Sequence, residues 1–465
     1  MVDRRGFLTS CASLAATGAV APRVLADGAK LDRDATMALF DAQRDETETR
    51  VREGIERNRK GDFTLRIVAS DGRPFERAHV RLAQRTHDFR YGANLFLLGE
   101  IGDERREALY EDAYRKAFNL ATLAFYWNGL EPEQGKPRYG VDAPKLYRRP
   151  PPDLCVDWCV RNGIEPKAHC LYYPKYQPDW VKSSVAREKE LLEKRFHELS
   201  ERYASHVPMW EVTNECFLKG AWEPALYLEP DMIEWVYGLA ARYFPDNRLI
   251  SNDDFWHRER KFLGTRSDYY LMVENAILKG CRVDGVGLQL HLFKPAETFA
   301  AETRYILDPK RIFGILDAFA HLKRPLQMTE LTIPAFSDSA RDEATQAELL
   351  RTLYSIWFSH PSMEAIIYWN VVDGYAFGDR GDMTSKQNAY YGGLLRYDMT
   401  PKPAYEMIRE LFGRTWHTEL ERDSGSICAF RGFYGMYRAE VTVGGRCLVR
   451  DIRFSRGAET AEIVV

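Results

Sequence analysis

Short apolar runs alternate with amphipathic stretches through the middle of the chain. The runs are "FRYGANLF" (89–96), "LATLAFYW" (120–127), "EPKAHCLYY" (165–173), "VPMWEVTNE" (207–215), "RLISNDD" (248–254), "VDGVGLQLH" (283–291), "PLQMTELTI" (325–333) and "AIIYWNVVD" (365–373). Between them lie segments such as "REKELLEKRFHELSERYA" (187–204) and "TQAELLRTLYSIWFSH" (345–360), with apolar residues at helical spacing. Strand candidates separated by helices over roughly 330 residues predict an α/β fold, a (β/α)8 TIM barrel over 86–412. A doubly wound sheet is the competitor, but no G-x-G-x-x-G loop follows the first strand.

The flanks carry different patterns. Residues 27–61 are charged, with sparse apolar positions at helical spacing, and predict one exposed helical arm. Residues 62–85 alternate around Asp71-Gly72, a β-hairpin signal, and the alternation returns in 413–465. The two β-rich ends are expected to meet in one small accessory β-sandwich. The first 26 residues hold Arg4-Arg5, Phe7-Leu8, a modest apolar run and a small-residue site ending at Ala26. They predict a twin-arginine signal peptide and a periplasmic or secreted protein. No other apolar run is long enough to cross a bilayer, so no membrane partner is expected.

In six of the eight candidate strands the apolar run ends in polar or aromatic chemistry: Trp127, His169, Asn214-Glu215, Asn252-Asp253, Gln289 with His291, and Glu330. The C-terminal strand ends of a (β/α)8 barrel form its mouth, where active sites of this fold sit. Glu215 and Glu330 end the fourth and seventh candidates. Strand ends on opposite sides of a barrel can aim two carboxylates at one bond, as glycoside hydrolysis requires. Composition sharpens the picture only modestly. A formal charge of −3 argues against a nucleic-acid partner. Aromatics make up 13% of the chain, which suits a sugar ligand that stacks on rings. Without the signal seven cysteines remain, with no CxxC pair, and no H-x-H stands at a strand end; neither a metal nor a cofactor is expected. Cys155 and Cys159 share a helix face and read as packing residues.

Residues 86 to 412 resemble the family 10 glycoside hydrolases, the retaining endo-β-1,4-xylanases. "WEVTNE" is similar to that family's W-D-V-V-N-E, whose last glutamate is the acid/base, and implies that role for Glu215. "QMTELTI" is similar to I-T-E-L-D-I and implies that Glu330 is the nucleophile. "VDGVGLQLHL" resembles I-D-G-I-G-x-Q-x-H-L, carrying over Gln289 and a His291 hydrogen-bonded to the nucleophile. "LISNDD", "YWNVVD" and "TPKPAYEMI" resemble three further segments in the correct order, and the second implies that Trp369 lies under a sugar. Asn214 is expected to donate to a sugar hydroxyl beside the scissile bond. His291 is expected to orient Glu330 and help keep it ionised.

The resemblance thins on the side that grips the sugar upstream of the cut. Where the family reads E-N-x-M-K-W, this chain reads "TLAFYW", with Leu123 at the asparagine and Tyr126 at the lysine. Where the family reads G-H-T-L-V-W-H-S-Q, it keeps His169 but has Tyr173 at the tryptophan and Pro174 at the second histidine. These changes trade hydrogen-bond selection for stacking, so the sugar recognised should differ from an unsubstituted xylose backbone. Asn128 and Glu131, beside Trp127, are candidate replacement contacts. Two long loops, 129–153 and 374–393, are candidates to narrow the groove into a pocket. The expected partner is a polysaccharide or oligosaccharide. A non-catalytic carbohydrate-binding barrel and a glycosidase of another sugar specificity are the alternatives. These patterns specify neither the sugar, endo or exo action, the role of the β-module, nor the oligomeric state.

Overall fold

The computed structural model describes residues 29–216, 224–254 and 263–465; the expected signal peptide lies outside them. Eight parallel strands close into a barrel: β3 (Arg90–Asn94), β4 (Leu120–Ala124), β5 (Glu165–His169), β6 (Met209–Asn214), β7 (Arg248–Asp254), β8 (Gly285–His291), β9 (Leu326–Thr332) and β10 (Met363–Tyr368). They pair in chain order, and β10 returns to β3. Each coincides with one of the apolar runs. The runs are apolar on both faces because one face fills the barrel and the other meets a helix; every residue of β4, β6 and β9 is buried.

The helices follow from their patterns. Val185–Tyr203 buries Leu191, Leu192, Phe196, Leu199 and Tyr203, one stripe at helical spacing. Side-chain oxygens of Asp103, Ser184 and Ser339 accept from backbone N–H groups at the N-termini of three such helices, which fixes where each begins. Inside the barrel one glycine is obligatory. A Cβ on Gly287 would lie 2.7 Å from both Asn252 Oδ1 and Thr329 Cγ2. Its absence lets the Thr329 hydroxyl donate to Asn252 across the strand between them.

Two expectations for the flanks are corrected. The arm is two helices, Arg33–Ala42 and Arg44–Asn58, and it is not exposed throughout: Met37 and Phe40 are buried in the main core. It packs on helix Ala340–Ser359, where Arg33 pairs with Glu348 and the backbone N–H groups of Lys30 and Leu31 donate to Asp342. The second correction concerns the predicted hairpin. β1 (Lys60–Val68) and β2 (Ala78–His87) lie in different sheets. β1 pairs with β12 (Ile427–Phe433) and β15 (Thr460–Val464); β2 pairs with β11 (Glu419–Ser424) and β13 (Gly435–Val443), which pairs in turn with β14 (Arg446–Phe454). Each strand has one apolar face, and a lone hairpin would leave those faces in water. Opposing sheets bury Phe63, Leu65 and Ile67 against Val80, Leu82, Tyr437, Val441 and Phe454. The accessory β-sandwich therefore forms from both flanks, though not through a hairpin.

Candidate active site

A cleft of about 460 Å³ opens at the C-terminal ends of the barrel strands and is lined by Glu215, Glu330, Asn214, Gln289, His291, Tyr173 and Trp369, among others. Glu330 stands near the end of β9 and is 4% exposed. Its Oε1 accepts from Asn252 Nδ2 and Gln289 Nε2, both at 3.0 Å, and His291 Nε2 lies 3.2 Å from Oε2. Glu215 follows β6 directly, is half-buried, and holds φ at +48°, in the left-handed region. Its N–H donates to the Asn252 carbonyl at 3.1 Å, and the Tyr173 hydroxyl donates to its carboxylate. One carboxyl is thus enclosed by amides and an imidazole, while the other projects from a turn.

Amide orientations follow from the network. Asn214 Oδ1 accepts from Asn252 Nδ2 (2.7 Å) and Gln289 Nε2 (3.0 Å), which leaves Asn214 Nδ2 as the unused donor in a residue that lines the cleft. A free amide donor in the cleft is what donation to a sugar hydroxyl would require.

The expectation that His291 helps to keep Glu330 ionised meets an opposing pull. The Thr332 hydroxyl donates to the Trp369 carbonyl, so its single hydrogen is spent. His291 Nδ1, 2.8 Å from Thr332 Oγ1, must therefore be the donor in that contact. In a neutral imidazole this leaves the Nε2 lone pair facing Glu330, and the proton between them sits on the carboxyl. Electrostatics agree. Burial lowers the His291 imidazolium. Burial also pushes the Glu330 carboxyl up to about 8; the charge on His169 opposes this and those on Glu211 and Glu215 add to it.

Behind the cleft lies a charged group that the strand-end pattern did not single out. Glu211, in mid-β6, is 1% exposed and pairs with Lys167 Nζ at 2.5 Å. His169 Nδ1 donates to the other Glu211 oxygen, and His169 Nε2 lies 2.8 Å from the Tyr126 hydroxyl. Burial would raise Glu211, but the charges of Lys167 and His169 hold it at about 2. Burial would discharge His169, yet the Glu211 and Glu330 carboxylates raise it overall. The signal in the sequence was a charged residue inside a fully buried strand, which demands a partner. His169, Glu211 and Glu330 offer three ligand-type atoms within 4.8 Å of one another. Those of His169 and Glu211 already face each other in a hydrogen bond, which a metal ion held there would have to replace.

Not every candidate meets the cleft. His169 lies beneath it, as described. Trp127, Asn128 and Glu131 are not among the described residues that line it. β4 ends at Ala124, and a single helical turn, Trp127–Leu130, rotates Trp127 into the core, 5.6 Å edge-on from Trp180. Glu131 is spent on the Trp127 indole N–H (3.1 Å) and the Gly135 N–H (2.7 Å), closing the loop. The cleft instead draws Tyr126, Arg148 and Arg149 from this part of the chain, and Phe377 and Gln387 from the loop after β10. The two long loops are tied together: Arg148 Nη1 donates to the Tyr375 carbonyl at 2.6 Å and the Tyr147 hydroxyl to that of Ala376 at 3.3 Å.

Known proteins resemble this chain. Anti-sigma-I factor RsgI6 of Acetivibrio thermocellus is 26% identical over 428 residues, covering 88% of this chain and 49% of that protein, so the chain spans about half of that relative. Endo-1,4-beta-xylanase B of Thermotoga neapolitana is 25% identical over 316 residues, 65% of this chain and 83% of that one. Among solved structures, xylanase 10B from Thermotoga petrophila RKU-1 in complex with xylobiose superposes with a TM-score of 0.56 at 22% identity, over 70% of this chain and 95% of that one. The family model for glycosyl hydrolase family 10 matches residues 102–411, a span that carries seven of the eight barrel strands and both cleft glutamates, and the chain belongs to that family.

Proposed function

We propose that the chain hydrolyses a β-glycosidic bond with retention of configuration, Glu330 acting as nucleophile and Glu215 as acid/base. The observation that carries this is the unlike setting of two carboxyls in one cleft: Glu330 buried under amide donors, Glu215 half-buried at a turn. Before attack the Glu330 proton passes to His291 Nε2, which faces it and leaves a carboxylate beside an imidazolium. Glu330 then bonds to the anomeric carbon while Glu215 protonates the departing oxygen. In the second step Glu215, now a carboxylate, takes a proton from water as the water oxygen displaces Glu330 from that carbon. Two inversions give net retention.

The names of several relatives, endo-1,4-beta-xylanases, support a β-1,4-linked xylan-type polysaccharide or oligosaccharide as substrate. The joined loops at one end of the cleft favour a chain end or a branched glycan over the middle of a bare linear polymer. The test is turnover of aryl β-xylosides and xylo-oligosaccharides by the full chain and its Glu330→Ala variant, with the anomer first released read by NMR. A β-anomer as first product and a loss of about 10⁴-fold or more in kcat are expected. Azide added to the variant should yield the α-glycosyl azide by a single displacement. A first-formed α-anomer, or turnover that survives the substitution, would sink the nucleophile assignment. The carbohydrate-binding alternative draws on the burial that raises the Glu330 carboxyl, which disfavours the ionised form that attack requires. Binding without turnover on every β-glycoside would decide for it.

A further inference from the structure

The cleft is cationic at one end without carboxylates to account for it. Arg148 and Arg149, from the loop that follows β4, both line it. Arg148 is only 6% exposed and sits at φ +60°, a conformation that residues with side chains seldom adopt unless their surroundings impose it. Its donor contact is the Tyr375 carbonyl at 2.6 Å; Arg149 Nη1 donates to the Arg148 carbonyl at 2.8 Å. Neither guanidinium forms an ion pair with a carboxylate of the described residues. Two adjacent cations, one buried and one half-buried, repel each other and forgo water, a state that folds rarely keep unless a counter-charge arrives.

Arg149 is also aimed. Its guanidinium stacks 3.9 Å from the centroid of the Tyr126 ring, which His169 holds in place from beneath. Stacking fixes the guanidinium plane while leaving its edge for in-plane donation. With Nη1 spent on Arg148, the Nε and Nη2 edge remains, and that pair matches the two oxygens of a carboxylate. The place along the substrate follows from contacts: Tyr126 bonds to His169, whose Nδ1 is 3.9 Å from Glu330 Oε1. If Glu330 attacks the sugar upstream of the cut, Arg149 stands over that sugar or its substituent; to this extent the inference rests on the proposed hydrolysis. Glu215, Glu330 and Asp254 line the cleft as well and would repel an acid placed among them, which confines an anion to the arginine end.

We propose that this end of the cleft binds the carboxylate of a uronic acid, carried as a branch on the β-linked chain or as its terminal sugar, with Arg149 as the bidentate contact and Arg148 as the buried charge behind it. The test is calorimetric binding to the full chain carrying Glu330→Gln. The ligands are a xylo-oligosaccharide with one glucuronosyl branch, a β-1,4-linked oligosaccharide ending in a uronic acid, and both after reduction of the carboxyl to the alcohol. At least one acid should bind about 10- to 100-fold tighter than its reduced form, less so at high salt. Whichever acid does so identifies branch or terminus as the source. Arg149→Gln should abolish the preference, and Arg149→Lys should restore part of it, because charge returns without the fork. Equal binding of both acids and their reduced forms, or a preference that survives in a folded Arg149→Gln variant, overturns the proposal. The measurement needs no turnover. Acid preference in a chain that hydrolyses nothing would sink the hydrolase reading alone, and turnover without acid preference would sink this one alone.

Discussion

Replacing Lys167 by Met should destabilise the barrel by about 3 kcal/mol at neutral pH. Lys167 is 0% exposed and Glu211 1%, with 2.5 Å between ammonium and carboxylate. A carboxyl held at about 2, against an ordinary 4.5, binds its proton some 300-fold more weakly in the fold than in the unfolded chain, a difference of about 3 kcal/mol. Breaking a buried pair by removing one partner independently leads to about 3 to 5 kcal/mol. The sign fixes the pH dependence. Because the folded value is depressed, the stabilisation is complete above about 4.5 and drains away as pH falls towards 2, so the gap between wild type and Lys167→Met should be widest at pH 7 and narrow below 4.5. Urea unfolding followed by tryptophan fluorescence measures it, with Glu211→Gln and the double variant closing the cycle. The double variant leaves no buried charge unpaired and should recover at least half of the loss. A Lys167→Met variant within 0.5 kcal/mol of wild type, or losses that simply add in the double variant, would refute a coupled buried pair; the 0.5 kcal/mol threshold is roughly the scatter of additivity.

Glu330 should behave in the opposite sense. Its carboxyl binds a proton more tightly folded than unfolded, so the fold loses stability as pH climbs from about 4.5 to about 8; Glu330→Gln should be the more stable protein by a margin that widens over that window, read as unfolding midpoints at several pH values. Because that proton moves only as far as His291 before attack, ionisation of Glu330 should put no ascending limb near 4.5 into kcat/KM, and a limb there would contradict the proton placement. Tyr173→Phe, which removes the hydroxyl from Glu215, should lower kcat roughly 10-fold on aryl glycosides with poor leaving groups and much less on activated ones, since only the former need the proton; equal losses on both would place Tyr173 in binding rather than in proton transfer.

The barrel was legible because a strand buried on both faces writes itself as a short apolar run, and chain-order pairing needs no long-range information. Asn214, Glu215, Gln289, His291 and Glu330 were legible because polar residues closing such runs fall at the mouth. Trp127 misled for a local reason: the apolar run continues past Ala124, where β4 ends, and one helical turn carries the indole inward. Arg148 and Arg149 were out of reach because they lie at the end of a 25-residue loop, 129–153, whose path follows from anchors such as Arg138 on the Gly129 and Pro144 carbonyls rather than from any period. The false hairpin shows the same limit. Alternation identifies a half-buried strand but not which sheet will cover it.

The exchange of the family's lysine for Tyr126 alters the upstream end of the cleft less by removing a hydrogen bond than by moving a charge. Leu123 is fully buried and offers the substrate nothing. Tyr126 does more than stack, because its hydroxyl meets His169, which burial would discharge but whose proton affinity the Glu211 carboxylate raises. When that imidazole is protonated, Nδ1 donates to Glu211 and Nε2 to the phenol oxygen, which leaves the phenol hydrogen for another acceptor. Burial suppresses ionisation of the phenol even against the pull of Arg149, so it persists as a neutral donor. Around the Tyr126 ring stand His169, edge-on at 4.9 Å, and the Arg149 guanidinium, 3.9 Å from the ring centroid. His169 is tied to the Lys167–Glu211 pair beside Glu330, while Arg149 forms no ion pair with a carboxylate of the described residues. A single lysine could not make both sets of contacts; on the proposal of a uronic-acid site, that separation is what would change the sugar accepted while Glu330 keeps its partners.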